Sequence, residues 1–379
     1  MTDITTNIPA PAGLAELGWD PGWATAFLPY DAAGLRPARV VAAHRDAWVV
    51  ARPGEPHDAD AIVTGRLRHE ALGPGDLPAV GDWVAAAPTD GAGSPVVIQA
   101  VVARRTAFTR SSGEERRAGR LVAEQVLAAN VDVAFVVAGM DGDFNLRRLE
   151  RYLAVAWSGG ATPVIVLNKA DVAGDVDGLR VAAEAIAPGV DVRAVSARRG
   201  DGIEELRRDH LAVGRTGVVI GSSGVGKSTL VNALLGEERQ ATGAVRGDDS
   251  RGRHTTTHRE LLRMPGGALL IDTPGIRSLG IAGAADGLEP AFADIADLAL
   301  QCRFSDCRHA GEPGCAVAAA LTDGRLAPDR LESHRKLERE AAHVARTTDP
   351  LLRAEERRKW KAIHSSVNQH MKRKYGSDR

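Results

Sequence analysis

Two rhythms of apolar and polar residues divide the chain. In the first third, ARVVAAHRDAWVVA, DADAIVTGRLR, VGDWVAAAP and SPVVIQAVVARR are β-rich runs separated by Gly, Pro and Asp turns. Short strands at that spacing predict a small barrel over 38–110, of the OB type that binds nucleic acid on one face. A structural barrel with no ligand fits the same pattern. From about residue 120, strands alternate with helices. VDVAFVVAG is continuously apolar, as a strand buried on both faces requires. NLRRLERYLAVAW places Leu146, Leu149, Leu153 and Trp157 on one helical face. TPVIVLNKAD, DVRAVSARRGDGIEELRR, TGVVIGSSGVGKSTLVNALLG and GGALLIDTPG continue the alternation. A doubly wound α/β domain over 111–283 follows. Residues 284–379 read as helical around a cysteine cluster. Residues 1–37 read as an extension that packs lightly, with Trp19, Trp23 and Phe27 as anchors.

Composition narrows the class. With 44% hydrophobic and 26% charged residues in 379, the chain is not disordered throughout. No apolar run approaches the roughly 18 residues of a membrane span. The first residues, MTDITTNIPAPAGLAELG, lack a basic stretch followed by an apolar one, so no secretory leader is expected. Three cysteines, all between Cys302 and Cys315, argue against a disulfide framework and for a reducing cytoplasm. The net charge of −1 conceals a basic tail, since residues 351–379 carry nine Lys/Arg against three Asp/Glu. An anionic partner at that end, or a merely solvated helix, would each explain it.

The middle of the chain carries nucleotide chemistry. Gly221-Ser222-Ser223-Gly224-Val225-Gly226-Lys227-Ser228, followed by Thr229, fits G-x-x-x-x-G-K-[ST] between an apolar strand and a helix. Its glycines let backbone N–H groups turn inward around phosphates, and the helix N-terminus adds partial positive charge. Lys227 can reach the β- and γ-phosphates, and Ser228 can ligate Mg²⁺. Asp272-Thr273-Pro274-Gly275 follows another core strand, where Asp272 can hold the Mg²⁺ through water and Gly275 can offer its N–H to the γ-phosphate. In Asn168-Lys169-Ala170-Asp171, the Asp171 carboxylate can accept both N1–H and 2-amino protons of guanine, a donor pair that adenine lacks. The Lys169 stem can lie over the base, and a backbone N–H at Ser196-Ala197 can meet guanine O6. Alone, D-T-P-G could be a turn and N-K-x-D a capped helix start. Together with the phosphate loop they indicate GTP. A threonine of Gly252-Arg253-His254-Thr255-Thr256-Thr257-His258, Thr256 being the candidate, can complete the Mg²⁺ shell.

These motifs stand in an unusual order. In Ras-like GTPases the phosphate loop comes first; here N-K-A-D and S-A-R precede it, a circular permutation that surface-proximal termini permit. In that order, the sequence resembles the ribosome small subunit-dependent GTPase A (RsgA) family. VGDWV, QVLAANVD, NLRRLERYL, NKAD, GSSGVGKSTLVNAL, GRHTTTHREL, LIDTPGIR and the late cysteines carry the resemblance, over about residues 38–370. It implies a multidomain α/β protein: an OB barrel, a permuted GTPase domain and a helical zinc-binding domain. It further implies a cytoplasmic role in late maturation of the small (30S) ribosomal subunit, whose binding stimulates GTP hydrolysis. The expected partners are that subunit with its rRNA, and GTP or GDP; no membrane is expected, and the protein is expected to be a monomer. Nothing carries over to the first 36 residues.

Cys302-x4-Cys307-x-His309-x5-Cys315 supplies three thiolates and one imidazole. Four N/S ligands without a carboxylate suit one closed, structural Zn²⁺ site per chain. Three free cysteines and a surface histidine are the alternative; the family resemblance places its zinc ligands at these four positions. Hydrolysis is less legible. Ile276 follows Gly275, and a hydrocarbon cannot orient the attacking water as the glutamine of Ras-like enzymes does. Slow intrinsic turnover and dependence on a partner are therefore expected. His254 is the first candidate for placing that water, with Lys227, Ser228 and Asp272 as the other catalytic groups. His258 is the second candidate, and an exposed loop histidine is the alternative for both. Three functions are compatible: a GTPase stimulated by the 30S subunit, a GTP-regulated RNA-binding switch with little turnover, and a nucleotide-independent scaffold. Intact nucleotide motifs count against the last.

Overall fold

The computed structural model describes residues 13–44, 46–88, 94–111, 124–238, 259–272 and 285–348. His254, Thr256, His258, Gly275, Ile276 and the basic tail lie outside these residues. The fold is a closed barrel, an α/β sheet and a helical region, in that chain order.

Strands β1 (Arg36–Ala43), β2 (Trp48–Ala51), β3 (Ala59–Val63), β4 (Trp83–Ala86) and β5 (Val96–Val101) form the barrel. They run in the order β1-β2-β3-β5-β4, and β4 closes back onto β1. Strand alternation sends Val40, Val50, Ala61, Val84 and Ile98 into one shared interior. The GRLR part of the second run is not β. It forms helix α2 (Gly65–Glu70), because the Thr64 hydroxyl caps its N-terminus by accepting from Leu67 N–H at 3.2 Å.

The extension packs firmly rather than lightly. Helix α1 (Pro21–Ala32) starts with Pro at its first position and with Asp20 accepting from Trp23 N–H at 2.9 Å. Trp19, Trp23 and Phe27 are all buried in the largest core, and Trp19 meets Trp83 of β4 edge-on at 4.6 Å. Large aromatic surfaces dominate such packing, which is why three anchors suffice. Arg105 then ties the helix down, stacking on Trp23 at 4.1 Å and pairing with Asp20. Beneath it, the buried Arg39 of β1 donates to carbonyls of Leu17, Gly81 and Asn130 and to the Thr216 hydroxyl. Burial lowers its pKa to about 10.

A hairpin of β6 (Ala107–Ser111) and β7 (Glu124–Ala129) leads out of the barrel. The α/β unit follows: β8 (Val133–Gly139), α3 (Leu146–Ser158), β9 (Thr162–Asn168), α4 (Val176–Ile186), β10 (Asp191–Ala194), α5 (Ile203–His210), β11 (Thr216–Gly221), α6 (Lys227–Leu235), β12 (Arg259–Arg263) and β13 (Leu269–Asp272). Its strands lie in the order β10-β9-β8-β11-β13-β12, with β12 antiparallel to β13. The continuous apolar runs now have a reason. In β8, Ala134 and Val136 face the core under α3, while Val133, Phe135 and Val137 face the core under α5 and α6. The chain winds outward from β8 to β10, then returns to lay β11 on the other flank of β8. That reversal opens a crevice at the C-terminal strand ends.

Two connections join the parts. Strand β12 pairs with β1 (Ala42↔Glu260, Ala43↔Arg259), so barrel and α/β strands form one eleven-stranded sheet. Helices α7 (Ala285–Ala291), α8 (Ala293–Ala299), α9 (Ala316–Thr322) and α10 (Pro328–Thr348) form the last region. There Arg330 of α10 donates to the fully buried Glu150 of α3 at 2.8 Å and pairs with Asp294. Breaking such a buried pair strands one charge, on the order of 3–5 kcal/mol.

Candidate nucleotide and metal sites

The phosphate loop is shaped by close approaches. Gly221 ends β11 with φ +148°, and a Cβ there would sit 2.4 Å from the Val137 carbonyl oxygen of β8. Gly226 has φ +89°, and its Cβ would lie 2.3 Å from the Asn168 amide. The loop then enters α6, whose first residue is Lys227. The first amides of that helix have no carbonyl partner within it, so they remain available to an anion. Lys227 is 9% exposed, and its ammonium donates to the Ser222 carbonyl. Ser228 lies in the first turn of α6, and Asp272 ends the adjacent parallel strand β13. These oxygens suit a hard cation such as Mg²⁺.

The segments expected to read a base meet around one buried amide. Asn168, at 2% exposure, closes β9. Its Nδ2 donates to the Val225 carbonyl at 3.0 Å, and its Oδ1 accepts from Ala197 N–H at 3.0 Å. It therefore ties the phosphate loop to both base loops. Of the two backbone amides expected at guanine O6, Ser196 N–H donates to the Asp201 carbonyl at 3.0 Å and Ala197 N–H to Asn168 Oδ1. The Asp171 carboxylate accepts from the fully buried Ser196 hydroxyl at 2.8 Å, and that bond holds its pKa below the ordinary value. An ionised acceptor is what the guanine donor pair requires.

Two further residues were not singled out from the sequence. Lys169 adopts φ +70°, uncommon for a side chain with a Cβ, and its ammonium lies 2.5 Å from Asp141 Oδ2. The bond to Lys169 lowers the Asp141 pKa. An acid just beyond β8, beside the strand that ends in NKAD, was the available signal. Tyr152 of α3 places its hydroxyl 3.5 Å from the Ser222 hydroxyl; nothing in the helical spacing marks it. Asn168, Lys169, Asp171, Ser196 and the phosphate loop thus meet at one edge of the sheet. Thr256, His254 and Gly275 lie outside the described residues.

The four cysteine-cluster residues come together as expected. Ligand atoms of Cys302, Cys307, His309 and Cys315 all lie within 4.8 Å of one another. His309 Nδ1 is 3.6 Å from Cys302 Sγ and 3.5 Å from Cys315 Sγ, and those two sulfurs are 4.0 Å apart. Zn–S bonds of about 2.3 Å would set tetrahedral thiolates roughly 3.8 Å apart, so the donor set fits a closed Zn²⁺ site. His309 takes φ +59°, and its carbonyl accepts from Arg335 of α10 at 2.6 Å. Cys315 also caps α9, its sulfur accepting from Ala318 N–H. Removing a ligand should therefore loosen α9 and α10 while sparing the distant nucleotide edge. Cys307→Ser is expected to lose about one Zn²⁺ per chain and the helical signal of this region, with GDP affinity retained. Metal analysis, circular dichroism and GDP titration check this; a metal-free wild type with full helicity would contradict it.

Comparison with known proteins agrees with this geometry. The family profile described as RsgA GTPase matches residues 101–282, and one described as 50S ribosome-binding GTPase matches residues 216–368. A protein of Opitutus terrae named small ribosomal subunit biogenesis GTPase RsgA is 50% identical over 360 residues, covering 93% of this chain and 96% of its own. A protein of the same name from Streptomyces coelicolor is 46% identical over 354 residues, covering 92% of each chain. Among solved structures, YjeQ from Thermotoga maritima superposes with a TM-score of 0.60 at 29% identity, over 81% of this chain and 98% of its own. YloQ, described as a circularly permuted GTPase, has a TM-score of 0.58 at 24% identity over 82% and 96%, which shows the shared fold.

Proposed function

The chain belongs to the RsgA family of circularly permuted GTPases, and from that membership we propose that it hydrolyses GTP while bound to the small ribosomal subunit and assists that subunit's maturation. The observation that carries the reading is the pairing of Asp171 with Ser196 beside a glycine-shaped phosphate loop. Asp171 selects guanine, with Lys169 over the base and Asn168 holding the loops in register. Gly221–Thr229 cradle the phosphates, and Lys227 faces the β- and γ-phosphates. Ser228 and Asp272 would hold Mg²⁺, which when bound neutralises phosphate charge; Thr256 and Gly275 join on the γ-phosphate side. His254 places the attacking water in the subunit-bound complex.

The matched family and the relatives are named for different subunits, the large one for the profile over residues 216–368 and the small one for the relatives. The relatives match nine tenths of the chain, barrel and metal cluster included, so they carry more weight. No helix of the described residues is long and apolar enough to cross a membrane. The reading extends to a monomer working in the cytoplasm, with rRNA met by barrel, metal region and basic tail.

Turnover with and without purified subunits is the test. Small subunits should stimulate phosphate release strongly and large ones weakly, and the GTP form should bind small subunits more tightly. Deleting residues 351–379 should weaken co-sedimentation and its salt dependence more than intrinsic turnover. Equal turnover with small, large or no subunits would favour the RNA-binding switch over the stimulated enzyme.

A further inference from the structure

Two arginines meet where the barrel, the β6–β7 hairpin and β12 converge. Arg110 of β6 and Arg259, the first residue of β12, both donate from Nη2 to one oxygen, Oε1 of Gln125 on β7, at 3.5 and 3.2 Å. Neither forms an ion pair among the described residues. Arg259 is half-buried; desolvation first, and then the like charge of Arg110, lower its pKa. Two partly desolvated cations sharing one neutral amide repel each other, and among the described residues no carboxylate pairs with either. Native proteins keep such local conflicts mainly at functional sites, where a ligand supplies the missing charge. A groove of about 580 Å³ opens beside Gln125 and Arg259, lined also by His44, Trp48 and Pro78.

We propose that Arg110 and Arg259 form a clamp for a backbone phosphate of ribosomal RNA, and that its occupation is felt at the GTP site through β12. The guanidinium fork matches phosphate geometry. An open groove between two elements suits a strand of polyanion better than a small enclosed anion. The connection to catalysis is short. Arg259 stands opposite Ala43 in the β1–β12 ladder, and its neighbour Glu260 stands opposite Asp272 in the β12–β13 ladder. A pull on Arg259 is thus one residue from the ladder partner of the proposed Mg²⁺ ligand. The clamp rests on the subunit-stimulated reading above and adds where stimulation enters.

The test compares wild type, the Arg110→Gln/Arg259→Gln double variant and Gln125→Glu. Readouts are small-subunit binding across a salt series, turnover with and without subunits, and thermal melting with and without inorganic phosphate. One lost phosphate contact should reduce the slope of log K against log salt by about one. Affinity should fall about tenfold at physiological salt, and subunit stimulation should fall with it, while unstimulated turnover stays unchanged. Gln125→Glu places a carboxylate between the guanidiniums, so it should raise the melting temperature yet weaken subunit binding. A structural role alone predicts no such loss. If the double variant does not fold, Gln125→Glu decides by itself. Undiminished affinity and slope in folded variants overturn the clamp. So does phosphate stabilising wild type but not the double variant while subunit binding is equal in both, which would assign the site to free phosphate. Wild type that binds subunits without stimulation counts against the function reading, and the slope comparison still judges the clamp.

Discussion

Lys227→Ala should leave a folded protein that turns GTP over about 10²–10³-fold more slowly, the loss typical when one preorganised donor is withdrawn from a developing negative charge. The structure says why the fold should survive. The ammonium donates to the Ser222 carbonyl of its own loop, while the packing of α6 rests on Leu230, Val231 and Leu234, which the substitution leaves in place. A bound nucleotide exchanges that carbonyl for phosphate oxygens. Ser228→Ala removes a hydroxyl from the first turn of α6 and should act in the same direction, with a higher Mg²⁺ requirement. Steady-state phosphate release alongside a melting curve measures both; unchanged turnover in the two variants would remove the loop from the chemistry.

Asp171→Asn should abolish guanine preference. A site built around a specific donor pair rejects an analogue lacking it by about 10⁴-fold or more, so wild type should bind GDP over ADP by that order. The Ser196 hydroxyl donates to the carboxylate, which fixes its direction and lowers its pKa. An amide offers one acceptor and one donor, which suits xanthine, whose 2-position bears a carbonyl, better than guanine. The variant should therefore lose GDP affinity and regain binding with XDP. Competition titrations with GDP, ADP and XDP decide, and equal wild-type affinity for GDP and ADP would defeat the assignment.

What could be read from the sequence followed from chemistry that is local along the chain. The phosphate loop, NKAD and the cysteine cluster each concentrate their chemistry in fewer than fifteen residues, so spacing exposes the first, and its company and the family resemblance fix the other two. Short β-rich runs between turns marked the barrel, and continuous apolar runs marked the buried strands, for the same reason. The errors have a common origin in contacts between distant segments. The extension was underrated because Trp19 and Trp23 gain their burial from Trp83 and Arg105, far along the chain. The α2 segment was read as β because its cap, Thr64, lies inside the apolar run. Asp141 and Tyr152 escaped because their partners, Lys169 and Ser222, come from other strands and loops.

The shared sheet also bears on how the molecule stays unaggregated. Strand β12 lies at the flank of the α/β strands and is met there by Ala42 and Ala43 of β1. An uncovered flank of this kind presents open N–H and C=O groups, which recruit strands from other chains. The barrel acts here as a cap on that flank, in addition to any grip on RNA. It is therefore not a detachable module: a GTPase fragment cut free of it would carry an exposed template for self-association, however sound its nucleotide site.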